Sequence, residues 1–398
     1  MPGRRGSRRI GALLVGGALA ALLGGCVAPA APLPEPWEAR LAVAEPDPVE
    51  SYAAARLAGM TLPEKVASLF MIHVPGTDPG AILAVVDSTG VGGIIDMADN
   101  VPGSAAGLAT VNAQLSADPG LPLLIAIDQE GATVRRLPGD DLPAAPQLRV
   151  AAPESAQAAF AARAALVASA GVSINFGIVA DVTADRGSFI YSRVLGTDAA
   201  SAAPRVASAV AGERGTVLST LKHFPGHGSV SGDSHTSLPE TAMSFDEWRA
   251  TQAPPFAAGI DAGAELVMFG HLRYTAVDAA PATLSLVWHS LLRDELGFDG
   301  IVVTDDMAML EHSGDPAFAD PAANAIAAVA AGNTLLLYVG PVNVPVVRDA
   351  IVAAVQDGRI DEATVDDAAL RLLVARRSLS SQTGPYVSCA ARCQTLVG

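Results

Sequence analysis

The sequence predicts an α/β fold of one kind, a single (β/α)8 barrel, and three observations carry that prediction. Eight short apolar runs, Leu69–His73, Gly93–Met97, Leu123–Asp128, Val172–Val179, Val217–His223, Leu266–Gly270, Ile301–Asp305 and Leu335–Val339, alternate with alanine-rich, helix-forming stretches. The runs are continuously apolar, as strands covered on both faces require. Polar residues gather where the runs end: Asp128, Asp181, Lys222 with His223, His271, and Asp305 with Asp306. In a closed parallel barrel all C-terminal strand ends meet on one rim, and active sites form there. The alternative, an open doubly wound sheet, is expected to carry a glycine-rich phosphate loop after an early strand, and none is present.

The chain has 398 residues, 50% of them apolar, enough for one large core. Its formal charge of −16, with no basic patch beyond the N-terminus, argues against nucleic acid as a partner. Only Lys65 and Lys222 are lysines, so the positions that keep one are of interest. Residues 1–25 read as a signal peptide. Arg4, Arg5, Arg8 and Arg9 precede the apolar run Ile10–Leu23, which is short for a membrane span. Leu23-Gly24-Gly25-Cys26 resembles a bacterial lipobox, which makes Cys26 the expected lipidation site. The protein is then expected to be exported and held on the outer face of the cell membrane by lipid alone. Residues 26–50, rich in Pro and Ala, suit an extended tether. The catalytic barrel is expected over 51–380. Thr61-Leu62-Pro63-Glu64 marks an early helix start, with Thr61 as N-cap and Glu64 at N3. In the tail, 381–398, Cys389 and Cys393 are close enough for a small disulfide loop in an oxidising compartment.

The densest chemistry lies between Lys222 and His235. The stretch Lys222-His223-Phe224-Pro225-Gly226-His227-Gly228, followed by Asp233-Ser234-His235, holds three histidines and a lysine in a Pro/Gly-marked loop. Asp233 and His235 share a face if the segment is extended, so the carboxylate can fix the imidazole tautomer and leave the other nitrogen to exchange protons. At the end of Ile301–Asp305 stand two acids, Asp305 and Asp306. A carboxylate there can be a nucleophile, a metal ligand or a helix N-cap; with two present, Asp305 is expected to face the barrel mouth and Asp306 to begin the next turn. Ile127-Asp128-Gln129-Glu130-Gly131 is a third acidic strand end.

These motifs, IDQEG at 127–131, KHFPGHG at 222–228, DSHTSLP at 233–239 and TDDM at 304–307, resemble glycoside hydrolase family 3, in its β-N-acetylhexosaminidase branch, over roughly residues 55–375. The resemblance implies a retaining exo-glycosidase that needs no cofactor and acts on a GlcNAc-containing oligosaccharide or muropeptide. It implies Asp305 as nucleophile, His235 as general acid/base and Asp233 as its dyad partner. Asp128, Arg136, Arg193, Lys222 and His223 fall at positions that bind sugar hydroxyls; the other role open to Lys222 is a salt bridge to a rim acid. The chain departs from the usual pattern at Gly131-Ala132, where relatives have two glycines, and at Arg193-Val194-Leu195-Gly196, usually Arg-Ser-Phe-Gly. Rival readings of the same residues are a β-N-acetylglucosaminide phosphorylase, a metal-dependent barrel hydrolase using the His and Asp cluster, and a non-catalytic sugar-binding lipoprotein.

Overall fold

The computed structural model of the protein describes residues 47–116 and 118–387. Eight parallel strands form one sheet: β1 (Phe70–Ile72), β2 (Gly93–Asp96), β3 (Leu124–Ile127), β4 (Ile174–Val179), β5 (Leu218–Phe224), β6 (Leu266–Phe269), β7 (Ile301–Thr304) and β8 (Leu336–Tyr338). Seven lie within one of the eight apolar runs, and β5 runs one residue past its own, to Phe224. Strands β1 to β7 pair in sequence order, and β8 pairs with β1. The ring closes between β7 and β8, where Thr304 N–H donates to the Leu335 carbonyl at 3.0 Å and Leu335 N–H to that of Val302. This is the (β/α)8 barrel that the run pattern predicts.

Buried side chains such as Ile94, Leu124, Ile174, Val303 and Leu336 join the strands to the surrounding helices in one core. A second cluster, built on Phe224, Trp248, Phe256, Phe269 and Trp288, fills the β5–β7 side. Phe224 meets four of these rings and lies directly after Lys222 and His223 of β5. It therefore anchors the end of the strand that carries them.

The helix start at Thr61 is present: Leu62–Ala67 is helical, and the Glu64 carboxylate accepts from the Thr61 N–H at 2.7 Å. One boundary moves. A helix runs from Pro48 to Ala58, so it begins three residues inside the stretch read as tether. Asp47 caps it by accepting from the Val49 N–H, and Pro48 opens it, a start signal that the surrounding Pro/Ala composition obscures. At the other end the last helix closes at Ser378, and the following residues pack back, with Tyr386 edge-on to Tyr52 at 5.5 Å. The signal segment with Cys26, most of the tether, and Cys389 with Cys393 lie outside the described residues. Among the described residues no helix is long and apolar enough to cross a membrane.

Candidate active site

The strand-end polar residues meet at one rim around a cavity of about 420 Å³. Asp128, Arg136, Arg193, Lys222, His223, His235 and Asp305 all line it. Met97, Met268, Met309 and Leu337 supply apolar wall. All but one of the residues singled out for catalysis and sugar binding thus face the same space. The exception, Asp233, is bonded to His235.

The cavity floor is an ion-paired lattice. Lys222 Nζ lies 2.8 Å from Asp128 and 2.7 Å from Glu130, with its side chain 3% exposed. Arg193 grips Glu130 through two hydrogen bonds of 2.9 and 2.7 Å, and Arg136 reaches Asp128 at 3.3 Å. Burial alone would raise both carboxyls. The cations outweigh it, Lys222 and Arg136 at Asp128, Arg193 and Lys222 at Glu130, and hold each pKa at about 2. The salt bridge open to Lys222 is therefore real and coexists with its place in the cavity wall. Despite its altered neighbours, Arg193 is locked in the site.

Asp181, at the end of β4, organises the next layer. It accepts from the His223 ring Nδ1 at 2.7 Å and from the backbone N–H groups of His223 and His227. Burial first, then Arg193 and Lys222, push the His223 imidazole well below its ordinary range, so it is neutral. With Nδ1–H donated to Asp181, Nε2 is left as the acceptor for Arg193, 3.3 Å away.

Asp305 takes its backbone position from an N–H donated to the Phe269 carbonyl, and its carboxylate accepts from the Asp306 N–H at 2.8 Å. Burial would raise this carboxyl; His223, His271, the Asp306 N–H and Lys222 together bring it below the ordinary carboxylate range. Asp306 takes the other role expected of the pair, accepting from the N–H groups of Ala308 and Val339. His271 props this turn by bonding the Asp306 carbonyl at 2.9 Å.

His235 Nδ1 lies 2.6 Å from Asp233, and the two side chains are 59% and 41% exposed. The expected pairing is present, but its geometry differs. The segment is a turn, not extended: Asp233 also accepts the His235 backbone N–H at 3.0 Å, and its carbonyl accepts from Thr236 and Ser237. Aspartate favours this local turn over an extended course. These bonds to His235 outweigh the small burial of Asp233 and lower its pKa.

Glu130 and Asp181 carry much of this geometry, and sequence reasoning assigned neither a role. Both stood in view as acids at strand ends. Their partners lie far along the chain, Glu130 pairing with Arg193 across 63 residues. Below Gln129 a buried network continues, in which Gln129 bonds Asp140, Asp140 is paired with Arg163, and Asn175 bonds both Gln129 and Glu213. It fixes the backbone between Asp128 and Glu130. Ala132 adopts φ of 52°, a left-handed conformation that favours glycine. Among the described residues no group of three His, Cys, Asp or Glu side chains is arranged to hold a metal ion.

A barrel with this rim belongs to glycoside hydrolase family 3: residues 61–375 match the family's N-terminal domain. Among curated proteins, a beta-hexosaminidase of Methylococcus capsulatus is 35% identical over 62% of this chain and 75% of its own length. Among solved structures, a family 3 beta-N-acetylglucosaminidase from Paenibacillus sp. superposes with a TM-score of 0.75 and 32% identity over 85% of this chain. The match spans 66% of that Paenibacillus protein. A beta-N-acetylhexosaminidase from Beutenbergia cavernae superposes with a TM-score of 0.70 and 32% identity, covering 80% of this chain and 99% of its own.

Proposed function

We propose that the chain is a retaining exo-β-N-acetylhexosaminidase that releases terminal non-reducing β-linked GlcNAc from cell-wall or chitin-derived saccharides. The observation that carries this reading is one cavity lined by both Asp305 and His235, with the Asp128–Lys222–Arg193 lattice as its floor. In this reading the ionised Asp305 attacks the anomeric carbon. His235, its Nδ1–H held by Asp233, protonates the departing oxygen from Nε2. In the second step neutral His235 takes a proton from water, which displaces Asp305 and frees the sugar with its configuration retained. The dyad stands where the two-carboxylate template has its second acid. Asp128, Arg193, Lys222 and His223 hold the sugar hydroxyls with donors and acceptors already fixed in place, so little reorganisation is needed as charge develops.

An activity screen of aryl β-glycosides tests the reading. Release of the aryl group is expected from β-GlcNAc well above β-glucose, undiminished in excess EDTA, with free GlcNAc as product whether or not phosphate is present. Loss of activity with chelator would point to the metal-dependent hydrolase, and GlcNAc-1-phosphate to a phosphorylase. Turnover of β-glucose above β-GlcNAc would sink the assignment of substrate.

The same reading places the enzyme outside the cell, tethered through a lipidated Cys26 and acting on wall fragments. Metabolic labelling with a palmitate analogue in a bacterial host is expected to mark the full-length chain and not Cys26→Ser. Equal labelling of both would contradict the anchor.

A further inference from the structure

His227 and Ser234 are buried polar residues that neither the sugar lattice nor the proton-transfer pair uses. Ser234 stands in the chain between Asp233 and His235, yet it is 2% exposed while its two neighbours face solvent. Its Oγ lies 3.0 Å from His227 Nε2, and His227 is 1% exposed. His227 is itself held from two sides: its backbone N–H donates to Asp181 at 2.6 Å, and its ring lies 5.3 Å from that of Phe189. The same Phe189 ring meets His235 edge-on at 5.5 Å. Ser234 is thus the point at which a solvent-exposed turn is fastened to the rigid end of the barrel.

We propose that the Ser234–His227 hydrogen bond is the latch that seats the acid/base turn at the cavity, making Ser234 and His227 positioning residues for His235. The chain of contacts runs from Asp181, which fixes the sugar-facing His223, to His227, then to Ser234, and so to the turn. One buried carboxylate sets both the sugar-binding imidazole and the seat of the proton donor. Burial first, only partly offset by Asp181, holds His227 below the ordinary imidazole range. A neutral ring offers one nitrogen as donor and one as acceptor, so Nε2 can pair with a hydroxyl in either tautomer. The Phe189 edge limits where the His235 ring can swing. Without the latch, His235 keeps Asp233 but the turn that carries both is free to drift, and small misplacements of a reacting group are costly.

This inference rests on the reading of His235 as general acid, and the leaving group separates the two. A dinitrophenyl aglycone departs without a proton, whereas a methoxyphenyl aglycone needs one. Ser234→Ala is expected to lower kcat/KM for the methoxyphenyl β-GlcNAc about tenfold or more while leaving the dinitrophenyl substrate within about twofold. Ser234→Thr, which keeps the hydroxyl, should restore most of the difference. In a His235→Ala background the Ser234 substitution should add nothing. Equal losses on both aglycones, or none on either, would overturn the latch. Wild-type protein that turns over neither substrate would instead overturn the proposed function.

Discussion

Replacing Asp305 with alanine is expected to lower kcat/KM for an aryl β-GlcNAc by about 10⁴-fold or more, with the fold intact. The size follows from its place in the site. Asp305 is the ionised carboxylate at the end of β7 that lines the cavity with His235, and His223, Lys222 and the Asp306 N–H surround it. A nucleophile removed this way leaves the sugar lattice and the proton donor in place. Azide can therefore enter from the vacated side and displace the aryl group. Rescue by azide, with an α-configured glycosyl azide as product, is the expected signature; a β-configured azide, or near wild-type hydrolysis without azide, would show that Asp305 is not the nucleophile. Thermal unfolding within a few degrees of wild type is the control, because Asp305 accepts only its neighbour's N–H.

Lys222→Ala should cost both stability and turnover. The ammonium sits between two carboxylates at 2.8 and 2.7 Å, and removing it leaves Asp128 and Glu130 with only Arg136 and Arg193 as partners. Breaking a buried charge cluster in this way destabilises by about 3 kcal/mol or more near neutral pH. The direction with pH follows from the two acids. Their folded pKa values of about 2 lie below their unfolded values near 4. The stability their pairing contributes is therefore present above the unfolded values and lost as pH falls toward about 2. Denaturant unfolding of wild type and Lys222→Ala should diverge most at neutral pH and converge through the range from about pH 4 downward. Parallel curves across that range would mean that the lattice contributes no net stability. Lys222→Arg is expected to recover part of the stability and little of the turnover, since a planar guanidinium cannot occupy the space of an ammonium between two acids.

Much of this arrangement could be read before any coordinates. Strand positions were legible because a barrel strand is buried on both faces, so Ile301–Thr304 or Leu266–Phe269 stands out against alanine-rich helices. Strand-end logic placed Asp128, Lys222, His223 and Asp305 on one rim without reference to any relative. What stayed hidden depends on side-chain partners chosen in space. Nothing adjacent in sequence tells Glu130 that it will meet Arg193 and Lys222, or Asp181 that it will hold two histidines. The turn at Asp233 is not legible because a spacing of two fits both an extended strand and an aspartate turn that bonds back to His235 N–H. The short strand pair Glu240–Thr241 and Arg273–Tyr274 is only two residues deep, too brief to leave a pattern. The helix at Pro48 lay within tether-like composition, with only its Asp-Pro start to reveal it.

The central claim is that Asp305 forms a covalent bond to the sugar, and trapping that bond tests it most directly. A fluorinated N-acetylglucosaminyl fluoride slows release of the glycosyl-enzyme more than its formation. After incubation and proteolysis, mass spectrometry should find one labelled peptide, with the sugar on Asp305, and free GlcNAc should protect against labelling. Label on Asp306, Asp128 or Asp181, or steady turnover of the reagent with no labelled peptide, would contradict the account.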